Sequence, residues 1–259
     1  MIELNNVSFI YEKKTVFDEL NLSIENGQNV AIFGDNGSGK STLCNIIAGL
    51  YPVETGTVII DGKSIGYWRK NKIPKVGILF QNPDNQFIRY RVIDEIELTF
   101  KYITKERRLF KTPADVVNYF KLEDVKNRLI NTLSGGEKQK LALACVLSYE
   151  PEYLILDEPF AHLDPVNEYL IREILRGFRD ELTIIEVSQK ESDFIFDRYI
   201  YLSDGKIIFN GDYNGFTEFR SDNYDTKEII NWLKTKGINL PSEVQSEMEI
   251  IKYIRENYA

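Results

Sequence analysis

Histidine occurs once in this 259-residue chain, at His162, and cysteine twice, at Cys44 and Cys145. Both cysteines sit inside apolar patterns of helical period and show no metal-ligand spacing. That argues against a zinc site or a disulfide framework and fits a reducing, cytosolic compartment. No run of about 18 uncharged apolar residues is present, so no segment reads as a transmembrane helix. The opening Met1-Ile2-Glu3-Leu4 lacks a basic region ahead of an apolar stretch, and no secretory signal is expected there. Positive charge is not in excess either. Against 40 Asp and Glu stand 32 Lys and Arg, a net charge of −8, which argues against a general binder of nucleic acid. Internal repeats, low-complexity tracts and heptad runs are also missing. What remains is an ordinary globular composition, 43% hydrophobic and 28% charged, in a chain long enough to bury a core without staples.

Apolar alternation predicts β structure early in the chain. Leu20, Leu22 and Ile24 alternate with Asn21 and Ser23, and Val58-Ile59-Ile60 runs into an Asp61-Gly62 turn. Three short runs, residues 29–33, 153–156 and 182–187, are apolar on both sides, the pattern of buried parallel strands covered by helices. An α/β core follows. Between about 82 and 149 the pattern turns helical, with helices predicted at 91–102, at 113–120 and after Ser134; this stretch reads as an inserted helical subdomain. From Asp212 the character changes again. Ile229, Trp232 and Leu233 share one face of a short helix that Gly237 can close. Pro241-Ser242 opens a second helix, with Val244, Met248, Ile251, Ile254 and Tyr258 on its apolar stripe. Neither helix can bury its stripe alone, so the tail is expected to dock on the core or on a partner chain.

Three motifs carry chemistry. Gly34-Asp35-Asn36-Gly37-Ser38-Gly39-Lys40-Ser41-Thr42 fits G-x-x-x-x-G-K-[ST], and it follows a predicted strand and opens a predicted helix. Such glycines let backbone N–H groups turn inward around phosphate oxygens, and the helix N-terminus adds partial positive charge. Lys40 would reach the β- and γ-phosphates of ATP, and Ser41 would offer its hydroxyl to Mg²⁺. The plainer alternative, a glycine-rich turn with an incidental lysine, does not account for the flanking strand and helix. Residues 153–158 form an apolar strand ending in Asp157-Glu158. In open α/β sheets ligands sit at that end of a strand. Asp157 is placed to hold Mg²⁺ and Glu158 to orient or deprotonate an attacking water. On its own this could be a strand meeting solvent; a P-loop in the same chain makes it specific. Leu133-Ser134-Gly135-Gly136-Glu137-Lys138-Gln139-Lys140 offers a second anion-binding helix terminus. It also reads as a helix start capped by Ser134 and Glu137, although a cap does not explain two consecutive glycines.

In this order the three motifs resemble those of ATP-binding cassette (ABC) ATPases. Smaller elements agree. Gln81, after a strand at 76–80, resembles the family's Q-loop glutamine, which senses Mg²⁺ and water. Tyr11 resembles the aromatic that stacks on adenine, and Ala161-His162-Leu163-Asp164 the loop that communicates across a dimer. The resemblance covers residues 2–211 and implies a P-loop core with a mostly parallel sheet. It adds an N-terminal antiparallel β subdomain, an inserted helical subdomain and, over 212–259, a C-terminal helical extension. ATP and Mg²⁺ are the implied ligands. The nucleotide would be held by Tyr11, Asn36, Gly37, Ser38, Gly39, Lys40, Ser41 and Thr42, and the metal by Ser41, Gln81 and Asp157. Glu158, Gln81 and Gln189 would line the reacting centre. The family works as a head-to-tail dimer, so Ser134, Gly135, Gly136 and Glu137 would meet a nucleotide held by the other subunit.

Within the family, Phe80-Gln81-Asn82-Pro83-Asp84-Asn85-Gln86-Phe87 and the tail are most similar to the ATPases of energy-coupling-factor importers of vitamins and metal ions. That likeness implies a transmembrane coupling subunit and a substrate-binding membrane subunit as partners, with the chain peripheral at the cytoplasmic face of the cell membrane. Asp84 is then a candidate acid for an arginine-bearing coupling helix; the alternative is a solvated loop carboxylate. A soluble, non-transport ABC ATPase and a regulatory nucleotide-binding subunit without useful turnover are the other functional readings.

The chain departs from the family at one site. A switch histidine normally follows the strand at 182–187, but here Glu186-Val187-Ser188-Gln189 puts Gln189 in its place. His162 lies on a different loop and reads as a dimer-interface contact. A neutral amide can hydrogen-bond a phosphate oxygen or a water but carries no positive charge. The site built on this chain's own P-loop is therefore expected to be slow. A different partner, with its own histidine, would host the fast site on this chain's Ser134, which favours a heterodimer over a homodimer. Glu137, where glutamine is more usual, either adds negative charge there or serves as a capping acid.

Overall fold

The computed structural model describes residues 1–71, 73–102, 110–161, 163–189 and 196–220, with 233, 234, 237, 238, 240, 241 and 253. His162 and most of the tail expectations, Ile229, Trp232, Val244, Met248, Ile251, Ile254 and Tyr258 among them, lie outside the described residues.

Two sheets form the core. The first is antiparallel, in the order β2-β1-β4-β5, from β1 (Ile2–Tyr11), β2 (Lys14–Ile24), β4 (Thr55–Ile60) and β5 (Lys63–Ser64). The second has six strands in the order β10-β9-β3-β8-β7-β6. They are β3 (Val30–Phe33), β6 (Val76–Leu79), β7 (Tyr153–Asp157), β8 (Thr183–Val187), β9 (Arg198–Ser203) and β10 (Lys206–Gly211). All neighbours in it are parallel except β9 and β10. The helices are α1 (Lys40–Ile47), α2 (Ile65–Lys70), α3 (Val92–Tyr102), α4 (Pro113–Tyr119), α5 (Gly135–Leu147), α6 (Pro165–Gly177) and α7 (Tyr213–Arg220). The expected α/β class, the antiparallel N-terminal sheet and the mostly parallel central sheet are all present.

Period-two alternation decides which side chain goes where. Along β2, Leu20, Leu22 and Ile24 are buried while Asn21 and Ser23 are exposed. In the central sheet both faces are apolar. Ile32, Ile155, Ile185 and Val187 pack toward α1 and the antiparallel sheet, whereas Ala31, Phe33, Leu154, Leu156 and Ile184 pack toward α5 and α6. Burying each such Leu, Ile or Phe contributes about 1.5–3 kcal/mol, so these strands have no alternative surface to present. The start of α4 is fixed locally: Thr112 and Asp115 form a reciprocal capping box around Pro113. In the tail, Leu233 and Lys234 are helical, and Gly237 (φ +78°) and Ile238 donate their N–H groups to the Lys234 and Leu233 carbonyls. That is the glycine closure expected at Gly237.

Because β3, β6, β7 and β8 run parallel, their carboxyl ends open on one edge of the sheet. Gly34, Phe80-Gln81, Asp157-Glu158 and Ser188-Gln189 therefore emerge side by side, from segments far apart in the chain.

Candidate functional site

The loop after β3 is shaped by glycines that have no substitute. A Cβ at Gly34 would lie 2.1 Å from the Leu202 carbonyl oxygen. Gly39, at φ +105°, precedes the first turn of α1 and would drive a Cβ to 2.9 Å from the Phe17 ring. Inside the loop, the Lys40 ammonium is buried and donates to the Gly34 carbonyl at 2.6 Å and the Asp35 carbonyl at 2.9 Å. Burial lowers its pKa, while Glu158, Asp35 and Asp157 pull it back up. The Ser38 hydroxyl is buried and has no hydrogen-bond partner among the described residues, an orphan that a bound oxygen anion would satisfy.

Across from the loop, the Ser41 hydroxyl donates to Asp157 Oδ1 at 2.9 Å. Asp157 is buried at the end of β7, and burial together with the neighbouring Glu158 charge raises its pKa against the pull of Ser41 and Lys40. Glu158 follows at φ +46°, a left-handed conformation uncommon for a residue with a side chain. Its N–H is anchored to the Val187 carbonyl at 2.9 Å. The carboxylate is held from three directions. Gln189 Nε2 lies 2.9 Å from Oε1 and 3.0 Å from Oε2, Gln81 Nε2 lies 3.3 Å from Oε2, and Lys40 Nζ lies 4.0 Å from Oε1. Gln189 also donates to Asn36 Oδ1 at 2.8 Å, which ties the end of β8 to the loop.

Several of these groups border a cavity of about 300 Å³, lined by Tyr11, Val16, Asn36, Gly37, Gly39, Lys40, Ser41, Thr42, Gln81, Glu158 and Gln189. Tyr11 is half-exposed, with its ring tilted against Tyr51 at 6.3 Å. One ring face is thus free of that neighbour.

The residues expected to serve a partner's nucleotide lie elsewhere. Ser134 caps α5: its Oγ accepts from the Glu137 N–H at 3.2 Å, and Glu137 Oε2 accepts from the Ser134 N–H at 2.7 Å. The backbone hydrogen bond from Ser134 holds the Glu137 carboxyl below its ordinary range. The two glycines have different reasons. A Cβ at Gly136 would fall 2.3 Å from the Asn167 side chain of α6, so close packing requires glycine there; a Cβ at Gly135 would meet nothing within 4 Å. Gly135 instead borders a second cavity, of about 350 Å³, with Gln81, Asp84, Lys138 and Leu163. Asp164 caps α6, accepting from the Val166 and Asn167 N–H groups at 3.0 and 3.1 Å and from the Asn167 side chain at 2.6 Å.

Asp84 is neither buried nor simply solvated. Its two oxygens take Lys138 Nζ of α5 at 2.8 and 2.9 Å. Sequence reasoning missed this partner because the two residues are 54 positions apart. It also missed Arg172 of α6, which is buried beside Phe160 behind Glu158.

A family profile described as "ABC transporter" matches residues 17–161. The energy-coupling factor transporter ATP-binding protein EcfA1 of Fusobacterium nucleatum subsp. nucleatum is 34% identical over 268 residues, covering 99% of this chain and 99% of the relative. The protein of the same description from Ligilactobacillus salivarius is 33% identical, covering 98% of this chain and 95% of its own. Among solved structures, cbiO1 from Clostridium perfringens, described as part of the ABC transporter complex cbiONQ, superposes with a TM-score of 0.69 at 26% identity, covering 98% of both chains. MJ0796, a bacterial ABC transporter cassette solved as a dimer, superposes with a TM-score of 0.73 at 28% identity, covering 82% of this chain and 98% of that one. The same cassette is also known in a post-hydrolysis state bound to ADP and Pi.

Proposed function

The chain belongs to the ABC transporter family and is an ATPase of it; on that premise we propose that it powers an importer of the energy-coupling-factor type, as half of a head-to-tail ATPase dimer. The observation that carries the reading is the cavity in which the P-loop, Gln81, Glu158 and Gln189 converge and which neither Ser134 nor Gly135 lines. A nucleotide seated there would be covered on one side only, and a second chain's helix terminus like that at Ser134 is what would close it. The end-to-end similarity to EcfA1 proteins, tail included, supports the energy-coupling-factor assignment, and the cassette solved as a dimer supports the pairing.

In this reading Asn36, Gly37, Ser38, Gly39, Lys40, Ser41 and Thr42 hold the phosphates, and Tyr11 lends a ring face to adenine. A γ-phosphate would replace the neutral carbonyls around Lys40 with anionic oxygens, which strengthens its hydrogen bonds. Ser41, Asp157 and Gln81 suit Mg²⁺, which takes hard oxygen donors from one or two carboxylates, waters and phosphates. When bound, the ion neutralises charge on the β- and γ-phosphates. Glu158 accepts a proton from water as the water oxygen bonds to the γ-phosphorus and the bond to the β–γ bridging oxygen breaks, leaving ADP and phosphate. Gln81 and Gln189 keep the Glu158 carboxylate aimed.

Among the described residues no helix is long and apolar enough to cross a membrane. The span would come from a transmembrane coupling subunit and a substrate-binding membrane subunit for a vitamin or metal ion, with this chain peripheral at the cytoplasmic face. Asp84, already paired with Lys138, would receive the coupling helix, and Asp164 and His162 would signal across the dimer. Residues 1–211 form the ATPase domain in this reading, with the helical subdomain at about 82–149, and 212–259 a docking extension. The neutral amide at Gln189 favours a slow site on this chain and a heterodimeric partner with a faster one.

The test is affinity recovery of the full chain from gently solubilised membranes. A second ATPase and a hydrophobic membrane protein are expected to come with it. Glu158→Gln should leave ATP binding intact and remove the turnover of this chain's own site, read in that complex with the partner ATPase's site inactivated. Recovery with nucleic acid and no membrane protein would instead favour a soluble, non-transport ATPase.

A further inference from the structure

Glu186 stands inside β8, in the middle of the central sheet, and is 2% exposed. It lies in register with Ala31 of β3 and Leu156 of β7, on the face that packs against α6. A lone carboxylate in such a place is strongly unfavourable, and burial pushes the Glu186 carboxyl up against the pull of Arg172. Arg172 meets it with both prongs: Nη1 donates to Oε2 at 3.0 Å and Nη2 to Oε1 at 3.2 Å. Its Nε donates to Glu168 Oε1 at 2.9 Å, and the guanidinium lies over the Phe160 ring, 4.0 Å from the centroid.

A buried pair of this kind adds little net stability over two apolar side chains of the same bulk, so stability alone does not explain it. Its placement does more. Glu186 precedes Gln189 by three residues on the same strand exit, and Phe160 follows Glu158 by two. Arg172, Phe160, Glu158 and Gln189 border one cavity of about 400 Å³ behind the nucleotide site. Beyond the backbone pairing of β7 with β8, Arg172 touches, through Glu186 and Phe160, both segments whose tips must keep the amide of Gln189 on the carboxylate of Glu158.

We propose that Arg172 is a positioning residue for ATP hydrolysis, clamping the strand that carries Gln189 to the turn that carries Glu158 through Glu186 and Phe160. This rests on the reading of Glu158 and Gln189 as the pair that aims the water.

The test uses the full chain with its co-purifying partners. The paired variant Arg172→Met/Glu186→Leu swaps the ion pair for apolar side chains, a change that folds commonly tolerate. With the partner ATPase's own site inactivated, turnover at this chain's site is expected to fall about ten- to a hundredfold, as a displaced reacting group requires. The KM for ATP, the binding of a fluorescent ATP analogue and the melting temperature should stay at their wild-type values. Arg172→Lys keeps the charge but loses the fork and the planar face, and its turnover should fall between the two. Wild-type turnover in either variant overturns the proposal. So does a loss of turnover that merely tracks loss of melting temperature and analogue binding, because Arg172 would then act only through the fold. A wild-type complex that binds the analogue without hydrolysing ATP would overturn the underlying reading of Glu158 and Gln189, and is distinguished from the other failures by the unmutated control.

Discussion

Replacing Gln189 with alanine takes from Glu158 the two shortest side-chain contacts to its carboxylate, at 2.9 and 3.0 Å, and cuts the 2.8 Å link to Asn36. What remains around Glu158 is Gln81 at 3.3 Å and Lys40 at 4.0 Å, neither close enough to hold one rotamer. A hydrogen bond to a charged acceptor contributes about 1.5–3 kcal/mol. Gln189 is exposed, so water can replace part of the bond and the lower end applies. A loss of about 1.4 kcal/mol in the transition state is tenfold in rate. Gln189→Ala should therefore lower kcat about tenfold with the KM for ATP little changed, because the loop contacts to the phosphates are untouched. Gln189→His should act in the opposite direction, since an imidazole can carry the positive charge that an amide cannot. The assay is phosphate release at saturating ATP from the assembled complex, with the partner ATPase's own site inactivated and Glu158→Gln as the zero. If alanine and histidine at 189 both match the wild type, the hydrogen bond does not shape the reaction and the slow-site reading is wrong.

Three further outcomes follow from burial and charge. Asp157 has its pKa raised by burial above its ordinary 3.8, so its contribution to stability is lost as pH rises through that raised value. Nucleotide-free Asp157→Asn should melt higher than the wild type at neutral pH, converge with it in acid, and lose Mg²⁺-dependent turnover; a lower melting temperature at neutral pH refutes this. Glu137 is the opposite case: its depressed pKa means stability present above the ordinary 4.5 and lost as pH falls through the folded value. Glu137→Ala should melt about 2–4 °C lower at neutral pH, with the gap closing in acid, and an unchanged gap would show that the cap is not what stabilises. Cys44 is buried and burial raises its thiol, so it should not be alkylated by iodoacetamide at neutral pH until the chain is unfolded; labelling of Cys44 in the native chain, read by mass, would contradict the packing of α1.

The parts of this molecule legible in the sequence are those written in consecutive residues. The P-loop can be read because strand, glycines and helix follow one another, so one stretch carries both the shape and its context. The strands can be read because burial on both faces leaves short runs that are mostly apolar. The capping box at Ser134 and Glu137 spans four positions, and both of its hydrogen bonds are present. The illegible contacts join distant positions. Gln189 and Asn36 are 153 residues apart, Asp84 and Lys138 are 54, and no local rule pairs them. Glu186 is an intermediate case. A carboxylate inside the run 183–187 breaks the apolar pattern, a conflict between local sequence and burial that marks a residue kept for some other reason. The sequence shows the conflict; only the fold supplies Arg172.

The pair Gly135-Gly136 separates local from distant causes in two adjacent residues. A helix cap needs neither of them. Gly136 is there because Asn167 of α6 packs where its Cβ would be, and Asn167 is in turn bonded to Asp164, the cap of α6. The terminus of α5 and the start of α6 are therefore one packed unit, and a displacement of Asp164 reaches Gly136 through a single side chain. Gly135 has no such neighbour and opens on the cavity shared with Gln81 and Asp84. Of the two glycines, the chain's own packing demands only one. The other leaves a helix N-terminus bare toward the outside, the condition for an oxygen anion to approach the backbone there, and nothing in the local sequence distinguishes the two.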